Sequence, residues 1–191
     1  VCEILFARAF LLVMTTTDTA ARGTPTPSFE DVYRAHAARV YRYCLSQVSS
    51  THDAEDLAAD VFASAYRAYP TATVTVSTVL PWLLRIARNG VIDHRRRRSR
   101  RAAVVDRFFR AASEADPTNV VDEVVLRDEV RRVIEAMRHL SDKDRAVLGL
   151  RVAAGLPHAE VAEVLGVSEH AATMAAKRAL TRLRTHLGPT Q

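Results

Sequence analysis

The chain has 191 residues, 48% hydrophobic and 26% charged, with six Gly and seven Pro. That composition excludes a low-complexity or wholly disordered chain and suits one or two soluble domains. The 27 basic and 22 acidic side chains give a formal charge of +5, unevenly spread.

Residues 82–101 hold eight basic groups and one acidic, and residues 168–191 hold four and one. The stretches 28–81 and 102–167 are net acidic. Two separated basic concentrations point to two contacts with a polyanion. Lys143 and Lys177 are the only lysines. Arg dominance suits forked contacts to phosphates and base edges, and it equally suits a GC-rich genome.

Two cysteines, Cys2 and Cys44, make no disulfide framework. The seven histidines lie at least 12 residues apart, and there is no CxxC, HxxxH, GxSxG or Gly-rich phosphate loop. Neither a metal nor another cofactor is expected, and the chain does not read as an enzyme. No apolar run reaches the ~18 residues of a membrane span. The run Ile4 to Met14 is short, is broken by Arg8 and follows Glu3, which argues against a signal peptide. Either Val1 or Met14 is open as the natural start, and residues 1–27 read as a disordered or mis-started tail.

Phe29, Val32, Tyr33, His36, Val40 and Tyr43 follow helical spacing, so 29–49 reads as an amphipathic helix with Ser28 as N-cap. His36 on its inner face reads as a core or boundary residue. Asp53 is the expected cap of a second helix, with Glu55 and Asp56 suiting the first-turn dipole. Leu57, Val61, Phe62 and Ala65 are its buried stripe, and Pro70 ends it. The β-branched, uncharged stretch 71–80 is a poor helix and reads as a loop. Pro81 opens a third helix with Leu83, Ile86, Ala87 and Gly90 inside and the Arg run at its C-terminal half. Trp82, beside Leu83, reads as core more than as a stacking platform.

Residues 100–121, with mixed charge and Pro117, read as a linker. Phe108 and Phe109 within it suggest docking onto something. A second helical unit starts near Asp122, with Leu126, Val130, Val133, Ile134 and Met137 as its stripe. Ser141-x-x-Asp144 resembles a capping box opening another helix, which runs to about Ala154. In PHAEVAEVLGVSE (157–169), Ala162 allows a close helix crossing, Gly166 allows the positive φ of a tight turn, and Ser168 caps the next helix. That pattern is a helix-turn-helix, whose second helix enters the DNA major groove. The predicted fold is all-α: two small helical domains joined by a flexible linker.

AEDLAADVFASAYRAY (54–69), PWLLRIARNGVIDHRRRR (81–98) and the stretch LSDKDRAV…LTRLR (140–184) occur in one order and separation. Together they make the chain resemble a bacterial RNA polymerase sigma factor of the extracytoplasmic-function (ECF) type. The resemblance covers roughly 29–98 and 122–187. It implies a region-two domain at 28–99, a linker at 100–121 and a region-four helix-turn-helix domain at 122–188. It implies a cytoplasmic initiation factor that selects promoters and aids their melting.

By the same resemblance, Glu55, Asp56 and Asp60 would dock on the coiled coil of the polymerase's largest subunit. The second domain would meet the flap of the second-largest subunit. Asn89, Asp93, Arg95, Arg96 and Arg97 would contact the −10 element, the Arg residues on phosphates. Ser168, Glu169, His170, Thr173, Lys177, Arg178 and Arg182 would contact the −35 element. The loop 71–80 sits where the family catches a flipped base, and the linker would thread toward the polymerase active centre. An anti-sigma factor is an expected partner, and membrane insertion is not.

The last helix departs from the family pattern. The usual polar run at its start is here His170, Ala171, Ala172, Thr173, Met174, Ala175. Ala and Met against thymine methyls would give an apolar reading of the upstream element. A second possibility is an autonomous helix-turn-helix regulator with residues 1–120 as sensor. That half, however, offers an acidic helix and an Arg-studded one in place of a ligand pocket or phosphoacceptor. An RNA- or anionic-surface-binding protein built on the Arg run leaves the helix-turn-helix unexplained.

Overall fold

The computed structural model describes residues 27–48, 50–109 and 128–187. They form seven α-helices: α1 (Phe29–Gln47), α2 (Thr51–Ala68), α3 (Val79–Phe109), α4 (Asp128–Arg138), α5 (Asp142–Leu148), α6 (His158–Leu165) and α7 (Glu169–Leu187). A 3₁₀ turn (Tyr69–Thr71) follows α2, and a π-helical turn (Gly149–Ala153) follows α5. No strand occurs among the described residues. The readings of the N-terminal tail, of residues 110–121 and of the helix start near Asp122 lie outside the described residues.

The first three helices pack pairwise. Val40, Tyr43, Leu83, Leu84, Ala87 and Val61 are at most 2% exposed. Ser28 caps α1, its Oγ accepting from Asp31 N–H at 3.1 Å. Phe29 anchors an aromatic cluster, edge-on to Phe62, Tyr66 and Tyr69 with centroids 5.2–6.4 Å apart, a preferred geometry for aromatic quadrupoles. Tyr69 also donates its hydroxyl to Pro27 O at 2.6 Å, tying the segment before α1 onto the end of α2. Burial pushes the thiol of Cys44, in the same core, up to about 12.

Several boundaries differ from expectation, each for a local reason. Ser50, not Asp53, caps α2: its Oγ accepts from the Asp53 N–H at 3.0 Å, so Asp53 sits in the first turn. The third helix begins at Val79, with Pro81 in its first turn where no N–H is needed. Thr78 closes the preceding turn, its Oγ1 accepting from Thr75 N–H at 2.9 Å. The same helix continues to Phe109, so the first ten residues of the stretch read as linker are helical. Arg and Ala are good helix formers, and no Gly or Pro intervenes before Pro117. The surroundings of Phe108 and Phe109 lie outside the described side chains. Gly90 marks the crossing of α2 and α3: a Cβ there would stand 3.2 Å from Leu57 Cδ1.

In the second unit α7 packs on α5 and α6. Val147, Leu148, Leu150, Leu156 and Val161 fill the interior with Met137. Val133, read into the buried stripe of α4, faces out, because Ala136, Met137 and Leu140 supply the inner side. The α5 helix is shorter than expected and gives way at Gly149 to the π turn.

The half-buried His36 imidazole has no partner for its buried Nδ1. Burial first, and Arg39 second, hold it below its ordinary 6.5. Folding therefore favours neutral His36: its contribution to stability is whole above pH 6.5 and shrinks as pH falls toward the lower folded value. In thermal unfolding between pH 7.5 and 5.5, the drop in Tm should be smaller for His36→Gln than for the parent chain.

Candidate nucleic-acid interface

Helical geometry decides which expected site residues act together. In α3 the buried side is Val79, Leu80, Leu83, Leu84, Ala87 and Val91. At about 100° per residue, Asn89, Asp93 and Arg96 fall on the opposite side. All three are exposed, and Arg96 Nη1 lies 3.7 Å from Asp93 Oδ1. Arg97 is exposed on the flank, its Nε donating to Asp93 O at 3.4 Å. Arg95 does not join them. Its Nη2 donates to Gln47 O and Gln47 Oε1, both at 3.2 Å, and its Nη1 lies 3.0 Å from Asp142 Oδ1. The expected row of three phosphate-holding arginines is thus split, with Arg95 turned inward by its place on the helix.

The second basic concentration lies on α7. Gly166, at φ 69°, makes the left-handed turn that ends α6, and Ala162 below it is buried. Ala172, Ala176, Ala179 and Leu183 form the inner face of α7. Opposite them project His170, Met174, Lys177, Arg178 and Thr181, all exposed. Met174 and Thr181 sit at the centre of that face. Met174 was expected there as an apolar contact, whereas Thr181, one of several exposed polar residues of the helix, was not singled out.

Other expected contacts hold structural positions. Ser168 Oγ accepts from Ala171 N–H at 3.2 Å and caps the helix. Glu169 is exposed in the first turn, and Thr173 is half-buried on one flank. Arg182 donates to the buried carboxylate of Asp144, which also accepts from Ser141 Oγ at 2.9 Å. That triad joins the start of α5 to α7 and sets the height of the outward face. The dyad of His139 and His186, with rings stacked at 5.4 Å, closes the other end.

On α2 the buried side is Ala54, Leu57, Ala58, Val61, Phe62 and Ala65. Asp56 and Asp60 are exposed one turn apart, with His52 Nε2 at 3.7 Å from Asp56 Oδ2, while Glu55 is half-buried beside them. The loop 72–78 is polar at its tip, where Thr75, Ser77 and Thr78 bond to one another at 2.9–3.1 Å. Trp82 is half-buried and tilted against Tyr69 at 6.1 Å, a core-edge position as expected. Among the described residues no group of three or more His, Cys, Asp or Glu could hold a metal. No helix among them is long and apolar enough to cross a membrane.

A helical chain with two basic helix faces, one of them on a helix-turn-helix, has the features of a nucleic-acid-binding protein. The family models for Sigma-70 region 2 and Sigma-70 region 4 match residues 32–101 and 131–183. The chain is 31% identical over 143 residues to the ECF RNA polymerase sigma factor SigK of Mycolicibacterium vanbaalenii, covering 74% of this chain and 72% of the relative. It is 28% identical over 143 residues to the ECF RNA polymerase sigma factor SigM of Bacillus subtilis, covering 74% and 84%. Its fold resembles that of the sigma factor RpoE crystallised with the anti-sigma factor NepR from Bartonella quintana. The TM-score is 0.66 at 23% identity, covering 83% of this chain and 96% of the other. The chain belongs to the ECF RNA polymerase sigma factors, and its function is promoter-specific transcription initiation.

The triad of Ser141, Asp144 and Arg182 yields a stability prediction. In urea unfolding of the full chain, Asp144→Asn should cost about 1.5–3 kcal/mol, the usual contribution of hydrogen bonds to a charged group.

Proposed function

We propose that the chain divides promoter selection between two outward faces. Asn89, Asp93, Arg96 and Arg97 on α3 take the −10 element, and His170, Met174, Lys177 and Arg178 on α7 take the −35 element. The observation that supports this is the coincidence of both basic concentrations with outward helix faces that also carry base-reading groups. Asn pairs with adenine edges and Asp accepts from cytosine, while Arg96 and Arg97 hold phosphates. On α7, Lys177 and Arg178 supply charge while Met174 and Ala171 meet thymine methyls. Glu169 and Thr173 reach only the rim of that face, and Ser168 serves it as cap. Arg182 positions the helix through Asp144, and Arg95 reaches phosphate only when its present partners release it.

The acidic side of α2, with Glu55, Asp56 and Asp60, would dock on a basic surface of the polymerase's largest subunit, where charge complementarity sets orientation and on-rate. The helix-turn-helix unit at 122–188 would meet the flap of the second-largest subunit, and residues 100–121, helical at their start, would lead from one unit to the other. The chain would act in the bacterial cytoplasm and catalyse no reaction of its own. A dedicated anti-sigma protein is its expected antagonist, by analogy with the relative crystallised with one.

Size-exclusion chromatography with bacterial core RNA polymerase tests the reading. The intact chain should co-elute, and the Glu55/Asp56/Asp60→Ala variant should do so at least several-fold more weakly. Failure of the intact chain to co-elute, with duplex DNA bound by a dimer of it, would instead support an autonomous regulator. In the holoenzyme, about six phosphate contacts should give a slope near −5 in log K against log salt.

A further inference from the structure

The arginine run of α3 contains one residue that contact with DNA does not use. Ser99 stands inside the sequence Arg95-Arg96-Arg97-Arg98-Ser99-Arg100-Arg101. It alone among the serines and threonines of the chain has arginine at both the second and the third position before it. Serine is a poorer helix former than arginine, so helix formation does not call for it there.

The segment around Ser99 is open. Val91 is the last buried side chain described on α3, and residues 96–101 are all exposed. The bonds printed by their side chains are local. Arg97 Nε donates to Asp93 O at 3.4 Å, and Arg100 Nε to Arg96 O at 3.3 Å. A helical stretch of fewer than ~12–15 residues is marginal in water when packing does not support it. Such stretches open locally at little cost. The Ser99 hydroxyl is therefore accessible on the helix and also when the backbone around it is drawn out along an enzyme's groove.

Helical geometry sets what a charge at Ser99 would meet. Arg95 and Arg96, four and three residues earlier, are its neighbours on the helix surface. Arg95 is engaged by Gln47 and Asp142. Arg96 is 71% exposed and pairs loosely with Asp93, at 3.7 Å. Three residues at 100° each place Ser99 about 60° around the helix from Arg96. It thus sits at the edge of the outward face that carries Asn89, Asp93 and Arg96. A phosphate group there offers Arg96 a forked, doubly charged partner and draws it from the Asp93 carboxylate.

We propose that Ser99 is a phosphorylation site, the acceptor for a serine/threonine kinase that selects basic residues before its target, and that phosphoserine at this position weakens the hold of α3 on nucleic acid. The proposal rests on the reading of α3 as the −10 contact. An acidic groove on the kinase would be met by Arg96 and Arg97, charge against charge. In the transfer, Ser99 Oγ bonds to the γ-phosphorus of ATP while the bond from that phosphorus to the β,γ-bridging oxygen breaks. ADP leaves, and the hydroxyl proton passes to the kinase's catalytic carboxylate. The six arginines of 95–101 carry +6. An added charge of about −1.5 to −2 lowers the run to about +4. The phosphate both occupies Arg96 and repels the nucleic-acid backbone.

The test treats the full chain with ATP and the catalytic subunit of cyclic-AMP-dependent protein kinase, which selects arginine at these two positions. Tandem mass spectrometry locates the phosphate. Anisotropy with a mixed-sequence single-stranded 30-mer measures the contact, and circular dichroism reports retained helix. Phosphate should appear on Ser99. At about 0.1 M salt the phosphorylated chain should bind the 30-mer about five-fold more weakly or more, with log K against log salt shallower by about 1.4, two contacts at ~0.7 each. Ser99→Ala, treated in the same way, should bind as the untreated parent does. Absence of phosphate from Ser99 overturns the proposal, as does phosphorylation without loss of affinity. An equal loss in treated Ser99→Ala assigns the effect to another residue and also overturns it. Failure of the promoter reading looks different: phosphorylation weakens 30-mer binding as expected, yet the unmodified chain does not co-elute with core polymerase.

Discussion

The C-terminal half of α1 is the constraint on which the molecule depends. Val40, Tyr43 and Cys44 are wholly buried, and Ser46 and Gln47 nearly so. An amphipathic helix in a three-helix unit normally leaves one side to water. This one is covered on one side by α2 and α3 and on the other by the π turn of the second unit. It serves as a wall shared by the two units. The Tyr43 hydroxyl shows the consequence: it is buried with no hydrogen-bond partner, and desolvation raises it far above its usual value.

The two units are joined across this wall by apolar and polar contacts alike. Leu83, Leu84 and Phe62 on one side and Leu148, Leu150 and Leu156 on the other belong to a single apolar cluster that runs through both units. Beside that cluster lie guanidinium groups, carbonyls and one amide. Apolar interfaces hold by area and resist water, whereas polar ones exchange partners at little net cost because water and phosphate offer equivalent bonds. A subunit whose work is to reach two distant DNA elements is well served by such a boundary. Arg145 lies at that boundary, where burial first, and the neighbouring Arg95 second, hold it below its ordinary value.

Much of this was legible in the sequence where the physics is local. Ser28 and Ser141 cap the helices expected of them, and Gly166 takes the left-handed turn that defines the helix-turn-helix. The stripe of α2 is buried as its spacing requires, and in that of α1 Phe29, Val32, Val40 and Tyr43 are buried while Tyr33 and His36 are half-buried. Errors arose where two local solutions compete. Ser50 and Asp53 are both good caps, and only the chain direction after Val48 decides between them. The length of α3 was hidden by its charge, since a run of Arg reads as solvated linker although its helix propensity is high. The polar contacts between the two units were illegible for another reason. The bonds of Arg39, Arg42 and Gln47 join residues 98–116 positions apart, and nothing periodic marks these three as partners of 145–155. The candidate site was legible as a set of faces but not as a set of directions, so the inward turn of Arg95 went unseen.

The inner face of α7 is built from three alanines and a leucine. Methyl-sized contacts let the helix backbone lie close against α5 and α6, with no large side chain keyed into a particular hole. Its position is set by the backbone itself, by the Gly166 turn and by the tie from Arg182 to Asp144. The outward residues therefore bear almost none of the load of holding the helix in place. Replacing His170, Met174 or Lys177 alters what the surface recognises and leaves the scaffold beneath it intact. A protein built this way can acquire a new regulon by surface substitution alone, with no repacking to compensate.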